Sequence, residues 1–93
     1  MMDGADQQAL TCGVIERLGL DVEDLWLAQL TAGGTPSRSR FLAYCRSQGD
    51  LDCLARDAVS LAVNEMSAGN GSRLVAPYSF DRATLTAVPR KLT

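Results

Sequence analysis

The sequence predicts an all-α protein, a small bundle of about four short helices followed by an irregular or weakly β-like C-terminal tail. Residues 50–66, DLDCLARDAVSLAVNEM, set Leu51, Leu54, Ala55, Ala58, Leu61 and Ala62 at three- and four-residue steps, the repeat of one helical face. Upstream, acidic or hydroxyl residues suited to helix starts alternate with glycine-containing breaks. After Met66 the run SAGNGS withdraws support for helix. The boundaries that follow are a helical domain over 1–67 and a basic tail over 68–93.

The first helix is expected over 6–18, with Leu10, Val14 and Leu18 on one stripe, Ile15 at its edge and Gly13 weakening its middle. Gly19 and Leu20 interrupt it. Asp21 then supplies an N-cap, with Glu23 and Asp24 in the first turn where negative charge meets the positive end of the helix dipole. The second helix, 22–32, should bury Val22, Leu25, Trp26 and Leu30 before Gly33 and Gly34 end it.

Thr35 followed by Pro36 reads as a capping hydroxyl and a proline at the first helical position, starting a third helix that runs to Ser47. Its inner face is Phe41, Tyr44 and Cys45, with Leu42 beside them. Gln48, Gly49 and Asp50 form the next turn, and Asp50 caps the fourth helix. There Val59 and Val63 widen the apolar arc, which implies more than one neighbour, while Arg56, Asp57, Ser60 and Asn64 gather on the polar side. Asp52 stands four residues before Arg56, the favourable order for a surface pair. Glu65 falls near the middle of the apolar arc, so either the helix frays there or the carboxylate meets a cation from elsewhere, the basic tail being one source. In the tail, Asp81 and Arg82 could turn a short hairpin, but Pro77 removes a ladder donor and Asp-Arg suits the turn poorly, so an extended segment is expected.

The chain has 93 residues, 46% of them hydrophobic and 22% charged, which fits one globular domain rather than wholesale disorder. Charge is uneven. Residues 1–67 carry ten acidic against five basic side chains, whereas the tail holds Arg73, Arg82, Arg90 and Lys91 against Asp81 alone. An acidic body repels phosphate backbones and disfavours nucleic acid as its partner. No apolar run reaches the ~20 residues of a bilayer span, and the start MMDGADQQ lacks the positive charge of a secretory signal, so a cytoplasmic location is expected and no membrane contact.

Chemistry finds little support. With no histidine and no close cysteine pair, Cys12, Cys45 and Cys53 cannot complete a zinc site, and thiol catalysis lacks its usual base. No cofactor motif is present and no catalytic residue is assigned. Cys45 reads as a small core residue, whereas Cys53 lies on the polar side in the first turn of the fourth helix, where the dipole favours a thiolate and Asp50 and Asp52 oppose it. A thiol-based redox sensor using Cys53 is therefore one alternative. A helix-turn-helix DNA-binding regulator is another, since SQGD joins the third and fourth helices, yet Arg56 is the only cation on the fourth.

The pattern of DLW at 24–26, GG at 33–34, FLAY at 41–44 and LAVNE at 61–65 resembles that of short helical proteins of actinobacteria, over residues 20–66. The resemblance implies a bacterial cytoplasmic setting and transfers no activity. The leading expectation is a non-enzymatic adaptor or regulatory protein that contacts a partner protein or a second copy of itself. Arg73, Tyr78, Phe80 and Arg82, aromatics and cations in the segment least committed to regular structure, are its expected contact residues.

Overall fold

Four helices form, each opened by an acidic or serine cap, in a computed structural model that describes residues 2–81. Helix α1 spans Gly4–Leu18, α2 Val22–Thr31, α3 Arg38–Cys45 and α4 Cys53–Gly69. Asp3, Asp21, Ser37 and Asp52 each turn a side-chain oxygen onto a backbone N–H of the first turn, satisfying donors that the helix leaves free. Gly19 ends α1 in the left-handed conformation, with its N–H donating to Glu16 and that of Leu20 donating to Ile15 at 3.0 Å. That double closure sends buried Leu20 back against the helix it leaves.

Helix α4 packs against α1 and α2, and α3 closes the other side against the same two helices. Leu25, Phe41, Tyr44, Val59, Ala62 and Val63 form the sealed centre. Trp26 is half-buried and meets Phe41 at a tilted angle, ring centres 5.6 Å apart. Among the described residues there is no strand, and no helix is long and apolar enough to cross a membrane.

Several expected boundaries shift. Helix α1 starts at Gly4, and its buried face carries Gln7 and Thr11 where Leu10 was expected; Leu10 is instead 40% exposed. Leu30 is likewise exposed. Ser37, not Thr35, caps α3, because its hydroxyl reaches the Arg40 N–H while Pro36 packs into the interior ahead of the cap. The α3 helix stops at Cys45, and Asp52 rather than Asp50 caps α4.

The largest correction concerns the face that α4 buries. Its inner side centres on Ala55, Val59, Ala62 and Val63, so Leu54 is 82% exposed and Leu61 also reaches solvent. At 100° per residue this turns the core stripe away from Leu54 and Leu61, and Glu65 turns with them into solvent. No cation is needed there. Asp52 does not pair with Arg56, because it caps Ala55 while Arg56 donates to the Gln7 side chain and to the Leu51 carbonyl.

Candidate functional site

Cys53, Asp57, Ser60, Asn64 and Ser67 recur at alternating four- and three-residue steps and so share one face of α4. That face is not a solvated surface. After Gly71, whose φ of 74° suits only glycine well, the chain doubles back as an extended strap over 72–79 and lies along it. Ser67 donates to the Leu74 carbonyl at 2.6 Å and Ser60 to the Pro77 carbonyl at 2.7 Å. Asn64 exchanges two bonds with the Ala76 backbone, and Asp57 accepts from both the N–H and the hydroxyl of Ser79. The helix thus supplies through side chains the partners that a neighbouring strand would supply through its backbone.

Gln7 anchors the other side of this network. Fully buried, it receives a bond from Arg56 Nε at 2.8 Å and turns its amide nitrogen to Asp57, Ser60 and the Pro77 carbonyl. The Gln7 amide is matched at both of its ends, which is what makes its burial tolerable. Gln7, Asp57, Ser60, Asn64 and Ser67 were absent from the expected site residues. The signal was present as the unbroken polar row on α4, but a row of that kind reads as a wet surface until the strap is seen to cover it.

Among the expected contact residues, Arg73 is exposed, and Tyr78 is half-buried, its hydroxyl taking a bond from Asn64. Phe80 stacks flat on Tyr78 with ring centres 5.2 Å apart, yet remains 67% exposed. Arg82 lies outside the described residues, as does most of the hairpin considered from sequence; the described chain turns at 78–81, where the Asp81 N–H donates to the Tyr78 carbonyl. The Cys53 thiol is exposed and donates to the Ser79 hydroxyl at 3.0 Å. Cys45 is buried, which pushes its thiol pKa up to about 12. No cluster of metal-ligating residues occurs among the described residues.

Between α1 and the strap runs a groove of about 690 Å³, whose lining includes Leu10, Val14, Leu74 and Tyr78 together with Arg17 and Asp81. Its lining is chiefly hydrocarbon. No family model, curated protein or solved structure matches this chain. The functional reading therefore rests on the geometry of its own surfaces.

Proposed function

We propose that this is a non-enzymatic adaptor or regulatory protein that binds another protein, or a second copy of itself, through the outward face of α4. The observation that supports this most is the exposure of Leu54, at 82%, two turns from Leu61, at 38%, on one helix face. Phe80 adds to it, since Ser79 is fixed to Cys53 and Asp57 and so holds Phe80 at the Leu54 end of α4. Large apolar side chains exposed on one helix face gain by being covered, and an apolar helix face laid into a partner's groove is a recurring mode of protein recognition.

The DNA-binding alternative has less support. Arg56 spends its guanidinium on Gln7 and Leu51, and residues 46–52 separate α3 from α4, longer than the 3–4-residue turn of a helix-turn-helix. For the redox alternative, an exposed Cys53 thiol bonded to Ser79 is the supporting feature.

The test is retention of a partner by the full-length tagged protein in its native cell, together with light scattering of the pure chain. Wild-type protein should hold a stoichiometric partner or self-associate, and Leu54→Asp with Leu61→Asp should abolish this while leaving helicity intact. A monomer that retains nothing, or a complex indifferent to both substitutions, refutes the proposal.

A further inference from the structure

Cys12 lies in α1 and Cys45 is the last residue of α3, two helices that pack together. The Cys12 thiol donates to the Tyr44 carbonyl at 3.1 Å, and the carbon of that carbonyl is bonded to the Cys45 nitrogen. Across a trans peptide the Tyr44 oxygen stands about 3 Å from the Cys45 Cα, so the Cys12 sulfur is within about 6 Å of that atom. Gln8, one turn earlier on α1, donates to the same carbonyl at 3.1 Å and to that of Gln48 at 3.2 Å, which holds α1 against the end of α3 at two successive turns. Cys45 is buried in the core that Val14 and Ile15 of α1 share. After burial, the largest influence raising its thiol is charge on Cys12, as a neighbouring sulfur exerts.

We infer that Cys12 and Cys45 form a reversible disulfide that staples α1 to α3, with a low-molecular-weight disulfide such as oxidised glutathione as the oxidant. In a disulfide each sulfur lies about 4 Å from the opposite Cα, so closure asks for a movement on the order of 2 Å. Half-buried Cys12 meets the oxidant first. Its thiolate attacks one sulfur of RS–SR, the S–S bond breaks, and RS− leaves and is protonated, with Cys12 now carrying SR. The Cys45 sulfur gives up its proton, attacks Cys12 Sγ and expels the second RS−, which is protonated in turn. The two cysteines lose two electrons between them, and one RS–SR becomes two RSH. Burial keeps Cys45 in its thiol form, so the second step is the slower one, and excess RSH drives both steps backwards.

The loop closed by this bond runs from residue 12 to residue 45 and contains the whole of α2, whereas α4 and the strap lie outside it. Oxidation therefore ties together α1, α2 and α3 and leaves the outward face of α4 free. Cys53 has a different setting, since its thiol is exposed and bonded to Ser79 of the strap.

The experiment incubates the folded full-length protein with oxidised glutathione, traps free thiols with iodoacetamide at intervals and maps every cysteine by mass spectrometry. Glutathione should appear on Cys12 and then leave as Cys12 and Cys45 become linked, at least about tenfold faster than in urea-unfolded protein, because the fold holds the two sulfurs close. Cys53 should keep its glutathione, and dithiothreitol should restore all three thiols. Cys45→Ala should stop with glutathione on Cys12, and Cys12→Ala should leave Cys45 reduced. In a Cys53→Ser background, oxidation should raise the urea midpoint by roughly 1 M, the consequence of closing a long loop in the unfolded chain. Glutathione that stays on Cys12 of the wild-type protein while Cys45 remains reduced, a bond from either residue to Cys53, linkage no faster than in the unfolded chain, or a midpoint lowered by oxidation would overturn the inference.

Discussion

Asn64 holds Ala76 by both of its backbone groups: Nδ2 donates to the Ala76 carbonyl at 3.0 Å and Oδ1 accepts the Ala76 N–H at 2.6 Å. A single side chain on α4 does for Ala76 what a facing strand does in a sheet. Because Ala76 is 1% exposed, neither group has water to turn to if Asn64 is lost. Asn64→Ala should therefore destabilise the protein by roughly 2–4 kcal/mol and sharply increase amide exchange at Ala76. Asn64→Asp should also destabilise, since a carboxylate keeps the acceptor but sets a negative charge against the Ala76 carbonyl. Urea unfolding with site-resolved exchange checks both, and wild-type stability in Asn64→Ala would show the clamp to be idle.

Gly34 meets Gln29 at the end of α2, its N–H donating to the Gln29 carbonyl at 2.7 Å. A Cβ at Gly34 would overlap Gln29 Oε1 and come within 2.8 Å of the Gln29 carbonyl oxygen. Gln29 is fully buried and its backbone cannot retreat. Gly34→Ala is expected to cost about 2 kcal/mol, the order of an overpacking strain, read as a drop in the urea midpoint at constant slope.

Thr11 Oγ1 and Tyr44 OH are buried without a hydrogen-bond partner among the described residues. A buried hydroxyl with no partner has lost its water and gained nothing in exchange. Thr11→Val and Tyr44→Phe should leave stability unchanged or raise it by about 1 kcal/mol each, against the usual trend for core substitutions. Thermal unfolding of the two variants decides the matter, and a loss of stability in both would mean that these hydroxyls are satisfied in solution.

Burial raises the Cys45 thiol from an ordinary value of 9.0 to about 12, and it raises the Tyr44 phenol as well. Both groups are neutral when protonated, so the unfolded chain loses these protons at a lower pH than the folded one. Their contribution to stability is complete below about pH 9 and is lost as pH rises from there toward 12. Denaturant midpoints should be level below that window and fall within it, with a smaller fall in Cys45→Ala. In the native state near neutral pH, a thiol reagent should label exposed Cys53 and leave buried Cys45 unreacted.

The four helices were legible because their signals are local. Asp21 followed by Glu23 and Asp24 marks a helix start, Gly19 and Gly33 mark stops, and both act through the nearest few backbone groups. The inward set Phe41, Tyr44 and Cys45 on α3 was legible for the same reason. Boundaries that depend on distant contacts were not. Helix α4 continues past Met66 to Gly69, and Ser67 near its end is buried beneath the strap and bonded to Leu74. The hydrophobic pattern placed the α4 core only in part: Leu51, Ala55, Ala58 and Ala62 of the expected stripe are buried, but Leu54 and Leu61 face solvent, and Val59 and Val63, expected to widen one side, lie at the centre.

What the sequence determined alone is the number and order of the helices and their approximate extents, because caps, glycine breaks and a three- to four-residue apolar repeat act over one or two turns. Only the tertiary structure decided that the polar row from Asp57 to Ser67 is a seam beneath the strap and that Leu54 and Leu61 face outward. The physical reason is that side-chain polarity specifies what a group must meet, not where its partner comes from. Asp57, Ser60 and Asn64 needed hydrogen bonds that water could have supplied, and the strap supplied them instead.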